Sequence, residues 1–135
     1  MDEAIGIWRE IQSAAKEHGS PHLAVRELAR NDLFYLLVNC CGRVDMLNEF
    51  AYSRCREVEA NPNGYLDLWA REHYKSTIIT FGLTIQNILQ DPDVTFGIFS
   101  HTRPIAKAFL RQIMRELESN KILHAAFPDI LWGED

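Results

Sequence analysis

The reading of the fold turns on Tyr65-Leu66-Asp67-Leu68-Trp69-Ala70-Arg71-Glu72-His73-Tyr74-Lys75-Ser76-Thr77. Leu66, Leu68 and Ala70 alternate with Tyr65, Asp67 and Trp69, which is the period of a β-strand. Lys75-Ser76-Thr77 then opens an apolar run of helical length that reaches Gln90. A strand, a short polar loop and Lys-Ser/Thr at a helix start is the layout of a phosphate-binding loop, the Walker A motif. There, backbone N–H groups and the helix N-terminus face the phosphates. The lysine neutralises them, and the hydroxyl reaches a magnesium ion. Lys75 in a helix's first turn opposes the helix dipole, and a bound phosphate would offset that cost. The competing reading makes Lys75 a solvated side chain and Ser76 and Thr77 simple helix caps.

The chain has 135 residues, 47% hydrophobic and 24% charged, which suits one soluble globular domain. Its net charge of −5 excludes a polyanion binder whose whole surface is basic. Cys40, Cys41 and Cys55 are odd in number and lack metal-ligand spacing, so they are expected to be reduced core thiols. The histidines His18, His22, His73, His101 and His124 show no metal spacing either. No apolar run approaches the length of a membrane span, and the expected compartment is the cytoplasm.

Up to Pro62 the pattern is helical. Ile5, Trp8, Ile11 and Ala15 recur at three to four residues over 2–18, and His18-Gly19 stops that helix. Ser20-Pro21 opens a second helix to Arg30, with Leu23, Leu28 and Ala29 inward. Leu33–Cys41 is nearly continuous apolar sequence closed by Gly42, and Asp45–Ala60 is a fourth helix. Asn61-Pro62-Asn63-Gly64 is a turn. Beyond it the expected order is strand Tyr65–Trp69, helix Lys75–Gln90, strand Val94–Phe99 and a helix from Arg103 or Pro104 to Ser119. That last helix would bury Ala106, Phe109, Leu110, Ile113 and Leu117. A short helix at Ile122–Ala126 follows. Strand–helix–strand–helix predicts a parallel α/β sheet. The expected organisation is therefore a helical segment over 1–62 and an incomplete P-loop sheet over 63–135.

Arg71 stands four residues before Lys75, and the surrounding Asn61–Thr77 segment resembles the ATPase motif of the large terminase subunit of tailed phages. That family is the motor that packages DNA into empty capsids. The resemblance runs from about Asp32 to the C-terminus. The glycine places of the loop pattern hold Trp69 and Tyr74 here. The resemblance implies that Ala70, Arg71, Glu72, His73, Tyr74, Lys75, Ser76 and Thr77 bind ATP, with Ser76 as the Mg2+ ligand. It also implies that Arg71 reaches the γ-phosphate as a catalytic arginine. The implied partners are double-stranded DNA, the capsid portal and the small terminase subunit, in the cytoplasm of a bacterial host and without a membrane.

Ser100-His101-Thr102 resembles a short family motif that senses nucleotide or contacts DNA; the competing reading is a helix cap by Thr102. Such an ATPase also needs an apolar strand ending in Asp-Glu. The late run Asp129–Asp135 is too short to supply one. The chain is thus expected to be the front piece of a longer ATPase and nuclease, inactive by itself. The alternative is a non-enzymatic α/β interaction or regulatory module with a decayed loop.

Overall fold

The computed structural model describes residues 1–61 and 74–131. Helix α1 spans Asp2–Glu17, with Asp2 and Glu3 at its positive end and Lys16 at its negative end. Gly19 takes φ +73, the left-handed conformation that lets the chain turn out of the helix. Helix α2, Pro21–Asn31, starts with proline, whose missing N–H costs nothing in the first turn.

The centre of the molecule is the next helix. α3, Leu33–Tyr35, widens into a π-helical turn, Leu36–Cys40, and every residue from Leu33 to Val38 is buried. Asp32 caps it, its Oδ1 accepting the Tyr35 N–H at 3.0 Å. Gly42, at φ +70, ends it. A 3-10 turn, Val44–Met46, leads to α4, Glu49–Ala60, where Asn48 Oδ1 caps the Ala51 N–H at 2.9 Å.

After residue 74 a wide π-helical segment, Ser76–Leu83, runs into α5, Thr84–Gln90. Gly82 lets this helix press on the central one: a Cβ there would lie 2.8 Å from Leu37 Cδ2. The buried Gln86 donates from Nε2 to the Ala29 carbonyl at 3.2 Å, fixing α5 on α2. α6, Arg103–Ser119, and α7, Lys121–Ala126, follow. Asn120 joins them to the centre, its Oδ1 capping the Leu123 N–H and its Nδ2 donating to the Cys40 carbonyl at 2.7 Å. α7 returns to α2, where Arg26 grips Asp129 with two hydrogen bonds and lies over the Phe127 ring. One apolar core takes Trp8, Phe34 and Met46 together with Ile78, Ile85, Leu123 and Phe127.

The expected α/β sheet is overturned: the described residues are helical, with no β-strand among them. Expected strand Tyr65–Trp69 lies outside the described residues. Expected strand Val94–Phe99 is irregular and largely exposed, with Phe99 at 95%. The physical reason is that alternation sorts side chains between two faces, while a strand also needs a neighbouring backbone to complete its hydrogen bonds. Among the described residues no such neighbour flanks 94–99. Two inward assignments also change. Leu23 and Leu110 are exposed, and within α6 only Ile113 is fully buried, because α6 rests on the core along a narrow line.

Candidate functional site

The Tyr74–Thr77 segment forms the entry to the helix that starts at Ser76. Tyr74 has φ +65, and it is the only described non-glycine residue with positive φ. It stands at one of the two places where the phosphate-loop pattern favours glycine, whose freedom permits this backbone. Two contacts hold it there: its hydroxyl donates to the Asp45 carbonyl at 3.0 Å, and its carbonyl accepts the Ile78 N–H at 2.8 Å. Lys75 and Ser76 are exposed at the helix start, where first-turn N–H groups lack intrahelical partners. Thr77 turns inward, its Oγ1 accepting a hydrogen bond of 3.0 Å from Arg43 Nη1.

Arg43 and Asp45 complete the site. Arg43 Nε and Nη2 donate to the two Asp45 carboxylate oxygens at 3.0 and 2.9 Å. These bonds hold the Asp45 carboxyl below its ordinary pKa and raise that of the Arg43 guanidinium, with partial burial of Arg43 opposing. Both groups therefore stay charged through the neutral range. The assembled entry has one lysine, one arginine, two hydroxyls and first-turn N–H groups, set against a single carboxylate already paired. That set is chemically suited to an anion with several oxygens.

Of the residues expected to bind nucleotide, the structure brings together Tyr74, Lys75, Ser76 and Thr77. Ala70, Arg71, Glu72 and His73 lie outside the described residues. Arg43 and Asp45 were missed by sequence reasoning. Gly42, at φ +70, marks the turn just before them and gives no sign of the partner that Arg43 reaches. Ser76 offers a hydroxyl at the place where a magnesium ligand is expected. No cluster of three His, Cys, Asp or Glu side chains fit to hold a metal occurs among the described residues. Thr102 sits at the N-terminus of α6 without a side-chain cap bond. No helix among the described residues is long and apolar enough to cross a membrane. Comparison of the chain with models of known protein families, with curated proteins and with solved structures finds no match in any of the three.

Proposed function

We propose that the chain binds the phosphates of ATP at Tyr74–Thr77 and acts within a DNA-packaging motor of the terminase large-subunit type. The observation that carries this reading is the left-handed Tyr74 directly ahead of Lys75-Ser76-Thr77 at a helix start. A lysine, a hydroxyl and first-turn N–H groups at one helix entry are what phosphate binding calls for. Arg71, four residues before Lys75 in sequence, is the residue proposed to approach the γ-phosphate. The reading rests on the helix entry and the resemblance alone, since no strand lies among the described residues to support it. Ser76 would give Mg2+ one hydroxyl oxygen, and a magnesium ion there would take its other ligands from phosphate oxygens and water. In the whole motor the partners would be double-stranded DNA, the portal and the small subunit, and hydrolysis would be coupled to DNA movement. For this chain by itself we expect nucleotide binding without turnover.

Calorimetric titration of the chain with Mg-ATP tests the reading. Binding is expected, and Lys75→Ala should abolish it while the circular dichroism of the helices is kept. Equal heats for wild type and variant would remove the phosphate role of Lys75. A non-enzymatic interaction module is the second reading. The exposed apolar residues Phe99, Ile105, Leu110 and Met114 favour it, and no response to Mg-ATP in either protein would leave it standing.

A further inference from the structure

Two exposed surfaces of this molecule match one another. The first is on α6. Arg103, Lys107, Arg111 and Arg115 recur every fourth residue, and none of the four forms an ion pair with a described residue. Residues 103–115 contain no aspartate or glutamate, although the whole chain carries −5. Beside this basic ridge Leu110 and Met114 are about half exposed, at 49% and 48%. Arg103 and Lys107 of this ridge form the rim of an apolar groove of ≈ 380 Å³ between α5, the 94–99 segment and α6. Ile88 and Ile113 line its inner side and Phe96 and Ile98 its wall.

The second surface is on α1. Trp8 is buried on the inner face, while Ile7 and Ile11 stay exposed at 48% and 40%. A helix advances 100° per residue, so Glu3, Ile7, Glu10, Ile11, Ala14 and Glu17 share the outer face. The cations of α1, Arg9 and Lys16, fall on another side. Neither Glu3, Glu10 nor Glu17 forms an ion pair with a described residue. The outer face of α1 is thus an apolar stripe edged by carboxylates, and the α6 groove is an apolar trough edged by cations.

We propose that α1 of one copy docks on the α6 groove of a second copy. Ile7 and Ile11 enter the groove, and the glutamates face Arg103, Lys107 and Arg111. Charge complementarity selects this pairing, since two α6 ridges or two α1 faces brought together would set like charges against each other. The contact is heterologous, with unlike surfaces meeting, so each copy offers one donor face and one acceptor face. It needs no nucleotide, and it is independent of the ATP reading above.

Sedimentation of the full chain over about a hundredfold range of concentration tests it. Wild type is expected to self-associate, and more weakly as salt rises. Arg103→Glu with Lys107→Glu makes an acidic groove. Glu3→Lys with Glu10→Lys makes a basic α1. Each double variant alone should lose self-association by at least about tenfold, with unchanged helix content by circular dichroism. Mixing the two restores opposite charges at both contacts and should restore assembly. A wild type that stays monomeric throughout overturns the proposal, as does assembly that neither variant weakens, or variants that fail to rescue each other. Salt-sensitive binding of a labelled thymidine oligonucleotide, lost on Arg103→Glu with Lys107→Glu in a protein that remains monomeric, would assign the ridge to nucleic acid instead.

Discussion

Arg43 Nη1 donates to Thr77 Oγ1 across 34 residues of sequence, at 3.0 Å. The same guanidinium clamps Asp45, so one side chain fixes both the turn after Gly42 and the start of the helix at Ser76. Arg43→Ala removes three hydrogen bonds at a partly exposed place and is expected to lower stability by about 1–2 kcal/mol in urea unfolding. Arg43→Lys cannot reproduce the fork and should recover little of this. Because Arg43 depresses the Asp45 pKa, that contribution is present above the ordinary carboxylate pKa and fades as pH falls through the lowered value. In Arg43→Ala the acid side of the stability profile should flatten.

Asp32 is the busiest polar side chain in the interior. It accepts Nη1 and Nη2 of Arg56 at 3.0 and 2.9 Å, the Trp8 indole N–H at 2.8 Å and the Tyr35 N–H at 3.0 Å. Burial works against the Arg56 charge, yet its hydrogen bonds to Asp32 and Tyr52 outweigh that and raise its pKa. Arg56→Met leaves a mostly buried carboxylate without its cation and should cost roughly 2–4 kcal/mol. Adding Asp32→Asn should cost less than the sum of the two single changes. A double-mutant cycle by urea unfolding, followed by circular dichroism, measures the coupling; strict additivity would show that the pair is not acting as a unit.

Two glycines in helices should respond oppositely to alanine. Gly6 lies in α1 with nothing within 4 Å of the place an alanine methyl would take, so Gly6→Ala is expected to stabilise by about 0.5–1 kcal/mol. At Gly82 the methyl would meet Leu37 Cδ2 at 2.8 Å and Cδ1 at 2.9 Å inside a filled core. Gly82→Ala should destabilise by about 1–3 kcal/mol. Leu37→Val beside it should recover part of the loss, which thermal melts would reveal.

The three cysteines are free. Burial pushes Cys40 and Cys55 from the ordinary 9.0 up to about 12, and raises Cys41 as well. Little thiolate exists at neutral pH, so a disulfide reagent such as DTNB should react at least about a hundredfold more slowly with the native chain than with the urea-unfolded one. The raised values also fix a sign. Folding holds these thiols protonated, so their contribution to stability is intact below pH 9 and is lost as pH rises toward 12. Unfolding midpoints should therefore fall between about pH 8 and about pH 10.5.

The helices were legible because their signals are local. Ser20-Pro21 marks the start of α2, Gly19 and Gly42 mark ends, and Trp8 marks the inner face of α1, although Ile11 of the same spacing is exposed. The end of α6 at Ser119 was equally readable, and its start was narrowed to Arg103 or Pro104. Val94–Phe99 was misread because its alternation of Val94, Phe96 and Ile98 is real, while the partner that would make it a strand lies beyond any local pattern. The inner face of α6 was misplaced for a related reason. Periodicity shows that a helix has an apolar side, and the neighbours decide how much of it is covered. Within the site, the helix start beside Lys75 could be read from Lys75-Ser76-Thr77. Arg43 could not, since nothing in its own neighbourhood points to a residue 34 positions on.

The Arg26–Asp129 clasp joins residues 103 positions apart, and it has a consequence for birth on the ribosome. At elongation rates of about 5–20 residues per second, Arg26 is made roughly 5–20 s before its partner. Throughout that interval the seat on α2 that Phe127 will fill stands open, although in the finished molecule the Phe127 ring is wholly buried. The nascent helices must wait with this apolar seat uncovered, a natural place for a chaperone to hold. Emergence of the segment that carries Phe127 and Asp129, rather than any earlier helix, then becomes the event that seals this core.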